Sequence, residues 1–288
     1  VMLVDVSVRQ ESRMTPKARE NNMRVGVIAG FGQMPILIAK EIREKGHEPF
    51  LICSSKNHQE ELAKKVAGQI VFIPIGELDN LTTYLKENEI DELVMAGKFF
   101  KVELFKIKLD KAWTGLLNNL PTLQDEDILK GLASHIEKNG IKVASQAKYI
   151  ENYISTPGLL VGELTETELV DIQYGSKIAK LVADADIGQA VVVKRKTVFA
   201  VEAIEGTDEA ILRGGQLAGS GAVVVKASRS NQDWRLDVPT IGAETVQKAI
   251  SVGIRVLAVE AGKTFFLEKE TSFALARKHG LAIYGYVE

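Results

Sequence analysis

The sequence predicts an α/β protein of two units. The first is a Rossmann-like N-terminal domain on a parallel sheet, and the second is a mixed α/β C-terminal domain. Two observations carry this. From Met23 short apolar runs alternate with stretches of helical spacing, the pattern of a parallel sheet with right-handed crossovers. Around 150–165 the alternation breaks at a stretch holding Pro157 and two glycines, which reads as a linker. A length of 288 residues also suits about two domains. The expected divisions are 1–22, 23–155 and 156–288.

Residues 1–22 have no uninterrupted apolar core, which argues against a secretory signal, and 9–22 read as a polar, disordered leader. The first domain then opens with the strand "MRVGVIA". The helix "MPILIAKEIREKG" follows and ends at Gly46, a suitable C-cap. Next come the strand "EPFLIC", the helix "HQEELAKKVAG", the strand "QIVFIPI", the helix "LDNLTTYLKENE" and the strand "ELVMAG". Helical segments are expected at 102–119 and 125–139, before the strand "IKVAS". The second domain opens with the helix "ETELVDIQYGSKIAKLVA". The β runs "QAVVV" and "TVFAV" then form a hairpin around Lys194-Arg195-Lys196, although that turn lacks the usual Gly or Asn. A helix from near Asp208, the strand "GAVVVKA", the helix "AETVQKAISVG", the strand "RVLAVEA", the segment "KTFFLE", a helix to Gly280 and "LAIYGYV" complete the chain.

Composition narrows the function. A net charge of -2 lacks the basic surplus of a nucleic-acid binder, so no nucleic-acid partner is expected. The single cysteine, Cys53, excludes an internal disulfide and a cysteine-cluster metal site, and suits a reducing cytoplasm. The four histidines show no paired metal-ligand spacing. No apolar run approaches the roughly 18 residues of a membrane span.

Three regions carry candidate chemistry. In "VIAGFGQMP", Gly30 and Gly32 lie between a strand and a helix, where a ligand can approach the backbone and a phosphate can meet free N–H groups. The dinucleotide fingerprint wants a third glycine where Pro35 stands, and a ribose-binding acid where the second strand ends "LICSSKN". A tight strand–helix turn and a different kind of nucleotide contact are therefore both open. In "MAGKFF", Gly97 and Lys98 end the fourth strand at the same sheet edge, where ligands of open parallel sheets bind; Lys98 reads equally as a phosphate contact or a solvated lysine. Asp125, Glu126 and Asp127 nearby read as favourable first-turn acids. The third region is acidic. Asp184, Asp186, Glu202, Glu205, Asp208, Asp233, Asp237 and Glu260 all fall at the borders of apolar strands, with glycines such as Gly188, Gly206 and Gly242 close by. Carboxylates with Arg213, Arg235 and Lys226 suggest metal-assisted chemistry on a phosphate ester or anhydride, with Mg²⁺, Mn²⁺ or a similar cation.

The segments "AVEAIEGTDEAILR" and "RLDVPTIG", with "IAGFGQMP", "AGK", "DIGQAVVV" and "VEAGKT", resemble the UDP-2,3-diacylglucosamine pyrophosphatases of the LpxI type. The resemblance runs in order from Met23 to Val287, and "EGTD" with "DVPTIG" is its specific part. It implies a ligand held between the two domains. It also implies hydrolysis of the substrate pyrophosphate to UMP and 2,3-diacylglucosamine 1-phosphate (lipid X), in lipid A synthesis. Water would attack the α-phosphorus with a divalent cation. The catalytic aspartate of the family falls on Asp237. The chain departs from relatives at Lys98-Phe99-Phe100 and at Gln124-Asp125-Glu126, which touches substrate identity more than reaction type.

On this reading Asp237 binds the cation or orients the water, and Arg235, two residues away on an extended segment, steadies the leaving phosphate or pairs with an acid. Asp186, Glu202, Glu205 and Asp208 are the expected metal ligands. Gly30, Gly32, Gly97, Lys98, Gln189, Gly206, Thr207, Thr240 and Gly242 are the expected substrate contacts. Phe99, Phe100 and Phe105 are candidates for an acyl groove or for core. A cytoplasmic location is expected. Peripheral contact with the inner membrane and a homodimer are compatible with it, though no basic amphipathic helix speaks for membrane contact. The rivals are a hydrolase or non-catalytic binder of another nucleotide-sugar, and a nicotinamide-dependent oxidoreductase.

Overall fold

A computed structural model describes residues 22–98 and 107–288. Residues 1–21 of the expected leader, together with Phe99, Phe100 and Phe105, lie outside the described residues.

The first sheet holds β1 (Arg24–Ala29), β2 (Glu48–Cys53), β3 (Gln69–Phe72), β4 (Glu92–Ala96) and β5 (Lys142–Val143). All of its pairings are parallel, in the order β3-β2-β1-β4-β5. Helices cover both faces, so "EPFLIC" and "ELVMA" are buried almost throughout and read as continuous apolar runs. The second sheet holds β6 (Gly158–Val161), β7 (Ala190–Lys194), β8 (Thr197–Val201), β9 (Ala222–Lys226), β11 (Ile254–Glu260) and β13 (Ala282–Tyr286). Its order is β6-β13-β11-β9-β7-β8, with β9, β11 and β13 parallel and both flanks antiparallel. The expected Rossmann-like first domain and mixed second domain are therefore present. Between them, β10 (Thr240–Ile241) pairs with β12 (Phe265–Phe266).

Two local expectations are corrected, and the expected β7–β8 hairpin is present. The expected linker contains β6, an edge strand on β13. Gly158, which opens it, and Gly162, which follows it, are both at positive φ and disguise it in sequence. The helix expected over 102–119 is described only at Lys111–Leu117, where Asp110 accepts a hydrogen bond from the Trp113 N–H and caps its start. The β7–β8 turn does take the left-handed conformation that favours Gly or Asn, at Arg195 (φ 50°) and Lys196 (φ 57°). Buried Asp171, from the helix Glu166–Asp184, offsets the strain: its two carboxylate oxygens accept from the Arg195 and Lys196 N–H groups, each at 2.7 Å.

The two domains interlock through one segment. Leu236 and Val238 are buried in the two cores of the first domain, with Trp234 packed beside Val238. Phe265 joins the first-domain core, while its neighbour Phe266 and Ile241 belong to the second. Alternate residues of the β10–β12 ladder thus serve different domains.

Asp171→Ala is expected to destabilise the protein by about 2–4 kcal/mol, from two lost charge-assisted bonds to a strained turn. Replacing Arg195-Lys196 by Asn-Gly in that background should restore most of the loss in urea denaturation. If it does not, the turn is not where Asp171 acts.

Candidate active site

The chemistry gathers at one edge of the second sheet. β7 runs antiparallel to β9, so Gln189, just before β7, lies beside Lys226 at the end of β9. β8 returns along β7 and delivers Glu202, whose N–H bonds the Ala190 carbonyl. Gly188 permits the approach: a Cβ there would fall 2.4 Å from the Glu202 carbonyl oxygen. Gly206 then opens the helix Thr207–Ala218 and brings Thr207 back to the same edge.

These residues form one hydrogen-bonded chain. Lys226 Nζ donates to Thr207 Oγ1 (2.7 Å), and Thr207 Oγ1 donates to Glu202 Oε1 (2.9 Å). Glu202 Oε2 accepts from the Gln189 N–H (3.2 Å), and Gln189 Nε2 donates to Asp237 Oδ2 (3.1 Å). Lys226, Glu202 and Gln189 are buried, whereas Asp237 is exposed.

Asp237 reaches this edge from the interlocking segment. Gln146, at the end of the first sheet, donates through Nε2 to the Met95 and Leu236 carbonyls (2.8 and 2.6 Å), and its N–H bonds the Trp234 carbonyl. Gln232 Nε2 holds the Asp237 carbonyl at 2.7 Å. With Trp234, Leu236 and Val238 turned into the first domain, the Asp237 carboxylate faces the second. Although water reaches it, protein crowds around it and pushes its pKa above the usual aspartate value. The Lys226 and Arg229 charges oppose that rise, and Glu202 and Asp125 add to it. Asp125 belongs to the first domain, so Asp237 senses charges from both.

The family model described as the LpxI N-terminal domain matches residues 24–153, and that of the LpxI C-terminal domain matches residues 157–284. The chain belongs to the LpxI family. A relative from Caulobacter vibrioides, named UDP-2,3-diacylglucosamine pyrophosphatase LpxI, is 26% identical over 275 residues, covering 91% of this chain and 97% of that protein. Among solved structures, phosphoribosylglycinamide synthetase from Anaerococcus prevotii matches at 15% identity over 64% of this chain and 40% of that one, with a TM-score of 0.24, too low to carry an argument.

Of the residues expected to matter, the LpxI fold brings Asp237, Gln189, Glu202 and Thr207 together with Lys226. Others are placed elsewhere. Arg235 lies beside Asp237 in sequence, but its guanidinium is held by Asp233 (2.8 Å) and Glu137 (2.9 Å). The four expected metal ligands do not form a common donor set. Asp186 is ion-paired with Arg229, and Glu205 with Arg213, which holds the Glu205 carboxyl below its usual range. Asp208 accepts from Thr245 and Lys248; these bonds, with the Lys248 and Lys98 charges, outweigh its burial and keep its pKa low. Glu202 is committed to Gln189 and Thr207. Among the described residues no group of three His, Cys, Asp or Glu side chains could hold a metal ion. Neighbouring cations supplied by the tertiary fold have claimed Asp186, Glu205 and Asp208, and neutral donors hold Glu202. Glu260 likewise sits in a buried cluster with Lys180 and Ser228.

The glycines divide. A Cβ on Gly30 would lie 2.6 Å from the Lys98 carbonyl oxygen, and one on Gly97 2.7 Å from Gly30. Reciprocal Phe31–Lys98 backbone bonds of 2.9 Å close this crevice between β1 and β4. The glycines there accommodate close approach of main chain to main chain. Gly32 (φ 103°) and Gly206 (φ 84°) have open space on the Cβ side. Lys98 is exposed, and its charge reaches Asp208 across the domain boundary. Thr240 bonds the Val238 carbonyl, and Gly242 precedes the helix Ala243–Ser251. The reading from sequence missed Gln146 and Arg229. Arg229 had one weak signal, its place three residues past a buried strand end.

Because the folded Asp237 carboxyl holds its proton more tightly than the unfolded one, ionising it at neutral pH costs stability. Asp237→Asn is therefore expected to raise the thermal midpoint at pH 7.5. That gain should shrink as pH falls through the raised pKa, where the wild-type carboxyl is already neutral. A midpoint lowered at pH 7.5 would contradict the assigned environment.

Proposed function

We infer that the chain hydrolyses the pyrophosphate of UDP-2,3-diacylglucosamine, giving UMP and 2,3-diacylglucosamine 1-phosphate (lipid X) in lipid A biosynthesis. Family membership and the name of the Caulobacter relative support this reading. The observation that carries it is the "DVPTIG" aspartate: Asp237 is exposed, raised in pKa, hydrogen-bonded by Gln189 and flanked by the charges of Lys226 and Arg229.

The chemistry follows from that setting. Water attacks the α-phosphorus while the bond to the bridging oxygen breaks, and the β-phosphate leaves with the electron pair. Asp237 orients the water and takes its proton, a role suited to a carboxylate whose pKa has moved up towards the working pH. Gln189 holds the carboxylate in place, and Glu202 and Thr207 hold Gln189 and Lys226 in turn. Lys226 and Arg229 supply the positive charge that lets a polyanionic substrate approach. A divalent cation remains part of the proposal. With the four expected ligands otherwise paired, it would have Asp237 and the substrate's own phosphate oxygens as partners, as Mg²⁺ commonly does.

On this reading the substrate's acyl chains would bring the protein to the cytoplasmic face of the inner membrane as a peripheral visitor. Among the described residues no helix is long and apolar enough to cross a membrane.

Purified protein should release UMP from UDP-2,3-diacylglucosamine, and Asp237→Asn should lower kcat by about 10²–10⁴ with the fold intact. Arms with Mg²⁺, with Mn²⁺ and with chelator read out the cation requirement. Unchanged turnover in Asp237→Asn would remove Asp237 from the chemistry. UMP bound without turnover would favour a nucleotide-sugar binder. In the wild type, kcat/KM should fall on the acid side, with an apparent pKa above the ordinary aspartate value of 3.8.

A further inference from the structure

Arg229 offers more than a charge near Asp237. It stands three residues beyond the end of β9, and its side chain is only 12% exposed. One nitrogen, Nη2, pairs with Asp186, a residue held at the left-handed φ of 54°. Its Nε is buried and makes no hydrogen bond. Glu126 Oε2 stands 3.8 Å from Nε, beyond hydrogen-bond range. Glu126 comes from the first turn of the helix Asp125–Lys138 in the first domain and already pairs with Lys130 at 2.6 Å.

A buried guanidinium N–H without an acceptor is costly, and folded proteins rarely leave one. Arg229 also lies close enough to Asp237 for its charge to act on that carboxyl, as does Lys226. Two cations therefore flank the residue proposed to activate water, and one of them has an unused donor. A guanidinium presents its N–H groups in a planar fork that matches two oxygens of one phosphate. A loosely placed carboxylate at 3.8 Å marks where an anion is favoured and not yet well bonded.

Building on the proposed function, we propose that Arg229 is a substrate-binding residue. Its unpaired Nε–H donates to a non-bridging oxygen of the pyrophosphate, while Asp186 holds the guanidinium through Nη2. Glu126 is the internal stand-in that the phosphate displaces. The same exchange would let the first domain respond to an occupied site, since Glu126 is released when phosphate binds.

Calorimetric binding of UMP, with uridine as the phosphate-free control, tests this alongside steady-state turnover of UDP-2,3-diacylglucosamine. Arg229→Gln should weaken UMP binding and raise KM by about 10- to 100-fold, the loss expected for a charge-assisted bond, while uridine binding stays unchanged. Arg229→Lys should recover part of both. Glu126→Gln removes the competitor from a surface helix, so it should tighten UMP by a few-fold. That variant decides the matter if Arg229→Gln fails to fold. UMP affinity within twofold of wild type in both Arg229→Gln and Glu126→Gln would overturn the proposal and leave Arg229 a tether for Asp186. An active wild type with unaffected Arg229 variants sinks this inference alone. Arg229-dependent UMP binding without turnover sinks the reaction and keeps the site. Wild type that neither binds UMP nor turns over sinks both.

Discussion

The site depends on one piece of chain from the second domain being buried in the first. Trp234, Leu236 and Val238 pack into the cores under the first sheet, and Gln146 fastens their backbone at the carboxyl ends of β4 and β5. Once those alternate side chains are buried, the intervening Asp237 has nowhere to point but towards the other domain. Burial of the apolar residues supplies the free energy, about 1.5–3 kcal/mol for each large side chain. The carboxylate is carried along into surroundings it would not choose by itself. That is how a group with a raised pKa persists.

The second sheet answers with geometry of its own. Its antiparallel flank is what brings Gln189, Glu202 and Lys226 to one edge. A fully parallel sheet would have sent the start of β7 to the opposite end. The resulting chain from Lys226 to Asp237 satisfies two buried charges through Thr207, so neither is left unpaired at the cost that isolation would impose. Glu202 is accordingly better suited to positioning its neighbours than to holding a metal.

The first domain has the strand order at which doubly wound proteins bind nucleotides, yet it closes that crevice with its own backbone. Gly30 and Gly97 follow the paired ends of parallel β1 and β4, where main chain meets main chain too closely for a Cβ, and the Phe31–Lys98 bridge continues the contact.

The sequence by itself determined the alternation of strands and helices, the two-domain division of the sheets and the family motifs, because these rest on local periodicity and on residues adjacent in the chain. Asp237, Gln189, Glu202 and Thr207 were legible as members of the candidate site for the same reason: each sits in a motif. The pairing of acids with cations was not legible. Arg235 belongs to Asp233 and Glu137, Asp186 to Arg229 and Asp208 to Lys248, and all but Asp233 lie dozens of positions from their partners. A row of carboxylates at strand ends looks the same in sequence whether it surrounds one cation or is neutralised singly. Only packing decides, because electrostatic partnership depends on distance in space.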